Sequence, residues 1–380
     1  MEPVFINNFL TVAPKQCYPQ KKLIQWISDI HKKAQDFVSG SGDDSESIDR
    51  FFQRYGVKES LISQRFFECD DVLEGVGEQA QIYRVTQSSP NGVDIMARAK
   101  FFSERAFDVF KRMYDFTEKG MRPHHLIHVT CTGYVSPSAA QLAVADPKWG
   151  FDTEVTHAYH MGCYASLPAI RLAHSMVLSS KATGSKRVDI VHNEMCGLHM
   201  NVLNHSPEQM IVQTLFADGH AKYSLSDRRT ETGGNLKVLA ILEKVVPDSD
   251  MDMSWISGSH GMQMNLSREV PNKIKAHIQN FMSVLLTKAG FHYETVKTAI
   301  FAIHPGGPKI IETVKEGLGL LESQVSESHK ILFERGNMSS ATLPHVWDLI
   351  LKNNYPSGSI VISLAFGPGL TIFGSVFEVS

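Results

Sequence analysis

The chain has 380 residues, of which 43% are hydrophobic and 20% charged, with a formal net charge of −3 at pH 7. That charge gives no electrostatic drive toward nucleic acid or stable membrane insertion, and the length allows two structural units or one duplicated unit. The five scattered cysteines (Cys17, Cys69, Cys131, Cys163, Cys196) form neither a CxxC pair nor a disulfide framework, which predicts a reducing, cytoplasmic setting.

The opening Met1-Glu-Pro-Val-Phe-Ile lacks a basic region followed by an apolar core, so no signal peptide is expected. Residues 1–20, with Pro3, Pro14 and Pro19, read as an extended lead-in. From Lys22 to Val38 the spacing of Leu23, Trp26, Ile27, Ile30 and Ala34 predicts a helix, closed by Gly40-Ser-Gly-Asp-Asp. Ile48 to Glu74 reads as short helices and turns, with Arg54, Lys58 and Arg65 as charges on a solvated face. Val93 to Thr117 is a further helix, with Met96, Ala97, Phe101, Ala106, Val109 and Phe110 facing inward.

The pattern then changes. Leu126-Ile-His-Val-Thr is a buried strand entering the turn Thr132-Gly133, and Ser138 to Val144 is helical. His160-Met-Gly-Cys163-Tyr-Ala-Ser-Leu-Pro is a sharp turn opening a helix that is apolar on nearly every side through Leu178. Such a helix lies inside a domain. A cysteine at its start is favoured as thiolate by the helix N-terminus, although a plain core cysteine fits the same stretch. Arg187 to His192 is a second strand, and Ala217-Asp-Gly-His leads into a third. The polar run Asp227 to Asn235 marks a boundary between halves.

Beyond it the same order returns. Thr298 to Ile303 is a strand ending in His304-Pro-Gly-Gly-Pro, and Gly336-Asn337-Met-Ser-Ser opens another buried helix with Pro344 near its start, as Pro168 stands in the first. Ser359 to Ala365 and Gly374 to Val379 complete the set. The long apolar stretch Ile360 to Phe377 is interrupted by Gly367-Pro-Gly369, so it reads as two strands and a turn rather than a membrane span. Cys131 precedes Cys163 by 32 residues and His304 precedes Asn337 by 33. This self-similarity predicts a duplicated strand–helix unit, residues 1–228 carrying the cysteine and 229–380 the histidine and asparagine, in a layered α/β architecture. Two-fold related helices would bring Cys163, His304 and Asn337 together.

Those three residue types allow a specific chemistry. A cysteine paired with histidine is a nucleophile. The Asn337 amide and a neutral His304 ring each supply an N–H to an oxyanion. None of the three motifs holds a carboxylate, which favours acyl transfer with decarboxylation over attack by water.

The chain resembles the type III polyketide synthases, the chalcone-synthase-like branch of the thiolase-fold condensing enzymes. The matching stretches are Met161-Gly-Cys163-Tyr-Ala, Phe216-Ala-Asp-Gly, Ile303-His304-Pro-Gly-Gly-Pro308, Gly336-Asn337-Met-Ser-Ser-Ala341 and Phe366-Gly-Pro-Gly-Leu-Thr371. They run in the family's order from about residue 120 onward. The resemblance implies a thiolase-like, internally duplicated fold in a five-layered α-β-α-β-α arrangement. It implies that Cys163 carries the acyl group and that His304 and Asn337 act in decarboxylation and oxyanion binding. It further implies acyl-CoA and malonyl-CoA as substrates, with an acyl carrier protein as an alternative donor, a homodimer, and no metal or bound cofactor.

By the same resemblance, Thr132, Cys196, His199, Phe216, Met264, Ser339 and Pro368 are substrate-binding. Phe216 falls at an aromatic gatekeeper position and Met264 at a second, where phenylalanine is usual. Cys196 and His199 stand where the family has small threonines, Cys131-Thr132-Gly133 fills the cavity-floor motif, and Ser136 stands where a partner-reaching methionine is common. Lys58 and Arg65 are the nearest candidates for the coenzyme phosphate. These departures predict a pyrone, resorcinol or related short polyketide, grown from a medium- to long-chain acyl starter.

Several other features have structural readings. His192, Glu194, Cys196 and His199 lack the paired spacing of structural zinc. His124, His125 and His128 are surface or satisfied core histidines, Gly367-Pro-Gly369 is a turn beside the site, and the four tryptophans pack, with Trp255 nearest the pocket. The competing functions are a single-condensation ketoacyl synthase of the fatty-acid-initiating kind, a cysteine hydrolase, and a catalytically idle partner subunit. Retention of all three polar groups argues against the last.

Overall fold

A computed structural model describes residues 3–39, 45–74, 79–116, 122–150, 152–179 and 187–380. The predicted helix stop at residues 40–44 and the end of the predicted helix at Thr117 lie outside the described residues.

The N-terminal part contains strands β1 (Phe5–Val12), β2 (Gln16–Pro19), β3 (Gln64–Phe67), β4 (His125–Thr130), β5 (Glu154–Tyr159), β6 (Val188–Met195) and β7 (Asp218–Ser226). Among them lie helices α1 (Gln20–Ser39), α2 (Ser45–Tyr55), α3 (Asp71–Glu74), α4 (Ile95–Met113), α5 (Ala139–Ala145), α6 (Ser166–Ser179) and α7 (Pro207–Gln213). The C-terminal part contains β8 (Leu236–Val245), β9 (Met253–Gly258), β10 (Gly261–Leu266), β11 (Ile300–Ile303), β12 (Ile360–Gly367) and β13 (Thr371–Val379). Its helices are α8 (Val270–Ala289), α9 (Pro308–Leu318), α10 (Ser326–Arg335) and α11 (Thr342–Lys352).

Nine strands form one sheet in the order β11-β12-β13-β8-β1-β7-β6-β4-β5. Its seam is the short contact of β1 with β8, where only Phe5 and Ile6 pair with Lys237 and Leu236. Outward from the seam the pattern repeats. β1, β7 and β6 are antiparallel neighbours and β6 is parallel to β4; β8, β13 and β12 are antiparallel neighbours and β12 is parallel to β11. The lead-in read at residues 1–20 is therefore mostly sheet: β1 is central, because Val4, Phe5 and Ile6 are buried.

Helices α6 and α11 lie between the two sheet halves in a core that includes Leu167, Ile170, Ala173, Leu343, Val346 and Trp347. Outside one half pack α1, α4 and α5, and outside the other α8, α9 and α10. The result is the five-layered α-β-α-β-α arrangement expected of a thiolase-like α/β fold. The inward stripe of α4 differs from the prediction. Arg98, Phe102, Ala106, Val109, Phe110 and Met113 are buried, while Met96 is 74% exposed. Asp94 caps the helix by accepting from Ala97 N at 2.9 Å, so Met96 sits in the first turn, beyond the packed face.

Candidate active site

The site lies where the parallel strands end, the place at which the two halves present loops to each other. Cys131 and Thr132 follow β4, and His304 follows β11, its own N–H still donating to Leu364 O at 2.7 Å. Cys163 precedes the helix α6, in a turn closed by Ala165 N donating to Gly162 O. Gly162 is required there: its φ is +88°, and an added Cβ would lie 2.6 Å from Pro368 Cδ. That contact seats the β12–β13 turn against the cysteine.

Asn337 occupies the matching position ahead of α11. Its backbone continues from the gatekeeper segment, with Asn337 N donating to Leu215 O and Ala217 N to Asn337 O. Its side chain links the other predicted groups. Asn337 Nδ2 donates to Gly306 O at 3.1 Å, in the turn after His304, and Asn337 Oδ1 accepts from Ser339 N at 2.9 Å. The Ser339 hydroxyl in turn interacts with the Cys163 thiol. A continuous path thus runs from His304 through Gly306, Asn337 and Ser339 to Cys163.

The electrostatics differ from a resting ion pair. Burial pushes the Cys163 thiol up to about 12, with the Ser339 hydroxyl pulling against it, although the residue is half-exposed to the chamber. Burial likewise lowers His304 to about 3. Both His304 ring nitrogens are buried and have no hydrogen-bond partner. In the free protein the predicted nucleophile is a thiol and the imidazole is neutral, so the predicted thiolate–histidine contact is not formed.

Two chambers with shared walls lie at the site, and the first adjoins Cys163. One, of about 340 Å³, is lined by Cys131, Cys163, Cys196, Met253, Ser339 and Pro368 among others. The other, of about 430 Å³, is lined by Phe67, Gly197, His199, Met200 and Val212 among others. Cys196, Phe216, Trp255 and Met264 line both. Phe216 and Met264 therefore stand between the chambers, while His304 and Asn337 border neither directly. His199 Nε2 donates to Thr132 O at 2.8 Å, and His199 Nδ1 accepts from Met262 N at 3.0 Å. Burial lowers this imidazole to about 4, which keeps it neutral. The Thr132 hydroxyl turns away from the chambers, donating to Glu194 at 2.8 Å and accepting from Met195 N at 2.9 Å.

Arg65 is a correction to the sequence reading. It is 1% exposed, and its guanidinium donates to Gln20 Oε1 and to the carbonyls of Gln213 and Phe216. It braces the gatekeeper segment and is not on a solvated face or open to a coenzyme phosphate. Lys58 is exposed. Among the described residues, His192, Glu194, Cys196 and His199 form no group with metal-binding geometry. His192 is instead bonded to Ser340 and Tyr223.

Residues 237–379 match the model of the chalcone and stilbene synthases, C-terminal domain. The chain is thus similar to the type III polyketide synthases in sequence and in fold. It is 31% identical over 255 residues to "Probable polyketide synthase 1" of Dictyostelium discoideum, covering 66% of this chain but only 8% of that protein. It is 25% identical over 284 residues to the "Alpha-pyrone synthesis polyketide synthase-like Pks18" of Mycobacterium tuberculosis, covering 72% of this chain and 70% of that one. The fold matches the crystal structure of the C-terminal type III polyketide synthase domain of Steely1, a type I/III hybrid from Dictyostelium. The TM-score is 0.81 at 24% identity, over 99% of both chains.

Two site features were missed in the sequence. The hairpin β9–β10 pairs only with itself and forms one wall of the cavity, with Trp255 directly opposite Met264. Its turn signal was present in Gly258-Ser-His-Gly261. Glu194, 0% exposed, binds the backbone N–H of Cys131 and the hydroxyls of Thr132 and Ser340. Burial raises this carboxyl above its usual range, against the pull of those hydrogen bonds. Nothing in local sequence pattern announces such a convergence of three separate segments.

Proposed function

We propose that the protein is a polyketide-forming acyltransferase that loads an acyl thioester on Cys163 and condenses it with malonyl-CoA by decarboxylation. The observation that carries this reading is the pair of unpartnered, buried His304 nitrogens, linked through Gly306, Asn337 and Ser339 to the only half-exposed thiol of the chamber. Buried polar atoms without partners call for a ligand, and a thioester carbonyl at that position supplies one.

In this mechanism Cys163 Sγ attacks the starter carbonyl as its proton passes to His304, and the coenzyme thiol leaves with that proton. Malonyl-CoA then loses CO₂. The enolate oxygen accepts from a His304 N–H and from the second Nδ2–H of Asn337, the first being held by Gly306. The enolate carbon attacks the acyl-Cys163 carbonyl and expels the thiolate. These N–H donors meet the developing charge, so the proposed chemistry requires no metal or bound cofactor.

The pocket supports a short product. Trp255, Cys196 and His199 occupy space in the two chambers, whereas Met264 is flexible enough to move aside for an aliphatic starter. We take the product as a pyrone or resorcinol after one or two extensions of a medium- to long-chain acyl group. The donor is coenzyme A or an acyl carrier protein, with Lys58 the remaining candidate for the coenzyme phosphate. Residues 1–228 and 229–380 are taken as the two thiolase-like halves, the working form as a homodimer, and the setting as cytoplasmic. Among the described residues no helix is long and apolar enough to cross a membrane.

Incubation with carboxyl-labelled malonyl-CoA and an acyl-CoA panel tests the reading. Release of labelled CO₂ with a cyclised product is expected. Hydrolysis of the starter without CO₂ release would overturn it in favour of a hydrolase, and a single uncyclised ketoacyl product in favour of a ketoacyl synthase.

A further inference from the structure

Three free thiols, Cys131, Cys163 and Cys196, line the same chamber. Mechanism uses one of them, and the surroundings of Cys131 tie it to that one. Cys131 Sγ accepts from Gly162 N at 3.0 Å, the amide immediately before the predicted nucleophile. The Ser339 hydroxyl interacts with both thiols. The Cys131 thiol also interacts with the fully buried Glu194 carboxylate, which holds the Cys131 backbone N–H at 3.0 Å. Cys131 is therefore fixed beside Cys163, with a proton acceptor behind it. Among the described residues Cys196 makes no hydrogen bond to that turn or to Ser339, so Cys131 is the favoured partner.

We propose that Cys131 is a resolving thiol for Cys163, forming a reversible Cys131–Cys163 disulfide under peroxide that shields the nucleophile from irreversible oxidation. The inference extends the role proposed for Cys163 but does not depend on the acyl substrate. Hydrogen peroxide is the oxidant. The Cys163 thiolate attacks one peroxide oxygen, giving a sulfenic acid and hydroxide. Cys131, its proton passed to Glu194, then attacks the sulfenic sulfur and expels hydroxide, which takes that proton as water. The proton that left Cys163 on ionisation neutralises the first hydroxide, so in total the two thiols each lose one electron and one proton, and one peroxide becomes two waters.

Burial holds both thiols protonated at rest. Crosslinking is therefore slow at neutral pH and faster as pH rises, since only thiolate reacts.

The test is peptide mapping by mass spectrometry of the intact protein after hydrogen peroxide and alkylation of remaining thiols, with and without dithiothreitol. A crosslinked Cys131–Cys163 peptide pair is expected, forming faster at higher pH and lost on reduction, with thiol titration recovering both groups. In Cys131→Ser, Cys163 is expected to pass to sulfinic acid that dithiothreitol does not reverse, while Cys196→Ser still crosslinks. The mapping of the unaltered protein decides the matter even if Cys131→Ser fails to fold. Sulfinic acid on Cys163 with no crosslink, or a Cys163–Cys196 pair instead, would overturn the proposal. Malonyl-CoA decarboxylation by the reduced protein is read separately, so a failure of the crosslink leaves the condensing role standing, and the reverse.

Discussion

The indole Nε1–H of Trp255 donates to the carbonyl of Cys131 at 2.7 Å, joining the β9–β10 hairpin to the strand end beside the predicted nucleophile. The Trp255 ring also meets those of His199 and Phe216, at centroid distances of 5.9 and 6.5 Å. One side chain thus sets the hairpin's height over the cavity and divides the cavity in two. Trp255→Phe keeps most of the volume but orphans the Cys131 carbonyl, so a stability loss of about 1–3 kcal/mol is expected. Trp255→Ala should in addition merge the chambers and shift products to longer chains. Denaturant unfolding and product mass spectra measure the two effects. An unchanged product profile in Trp255→Ala would remove the dividing role.

Met264 faces Trp255 across the hairpin. Met264→Phe replaces a flexible side chain with a rigid ring at the junction of the chambers. Rates with long aliphatic starters should fall before those with short ones, as a starter panel will register. Equal loss across the panel would place Met264 outside the selectivity of the site.

His304 and Asn337 are joined through Gly306, so loss of either should cost decarboxylation heavily. Removal of one oxyanion donor typically costs about 100- to 1000-fold, and His304→Ala and Asn337→Ala are each expected in that range. Cys163→Ala should abolish acyl labelling in intact mass spectra while leaving circular dichroism unchanged. Cys163→Gln, which imitates an acylated thiol, should still release CO₂ from malonyl-CoA. A labelled starter retained by Cys163→Ala would refute the role given to that residue.

The reactivity of free Cys163 follows from its surroundings. Its thiol is raised to about 12 by burial, so alkylation by iodoacetamide should be slow at neutral pH and climb through pH 9 and beyond. Ser339→Ala should slow it further, because that hydroxyl favours the thiolate. His304→Ala should change it little, since His304 has no hydrogen bond to the sulfur. A plateau in alkylation rate below pH 8 would show a thiolate already formed at rest.

Acid should unfold the protein early. Burial lowers His31 and His199 to about 4, and His128, His192, His304 and His345 to about 3. Unfolding frees each to bind a proton below pH 6.5, so the unfolded state holds more protons between that pH and the folded value. Stability is therefore full above about pH 6.5 and falls as pH drops, by at most about 1.4 kcal/mol per unit for each group. Asp218, raised to about 8 by burial, acts in the opposite direction, as do Glu194 and Asp71, also raised by burial, but these three are outnumbered by the six imidazoles. Thermal midpoints measured from pH 7.5 to 5 should decline steeply, and a flat profile would show these imidazoles to be solvated.

The chain by itself determined a good deal. Repetition of a buried strand, a Gly-opened turn and an all-apolar helix disclosed the duplication and the layering. HPGGP and GNMSS, with Gly162-Cys163, marked the segments that meet at the candidate site, because such turns need particular side chains and backbone freedom at adjacent positions, and adjacency is what sequence records. Tertiary structure decided what depends on distant segments. Arg65 looked like one surface charge among three, yet it is buried, with its Nη1 donating to the carbonyls of Gln213 and Phe216, about 150 residues away. Residues 5–12 became a central strand because β7 and β8 lie on either side of them. Glu194, Cys131 and Ser340 form one hydrogen-bonded cluster from three parts of the chain. Burial and hydrogen bonding are properties of three-dimensional neighbourhoods, so the charge state of Cys163 and His304 was settled by packing around them rather than by the motifs that contain them.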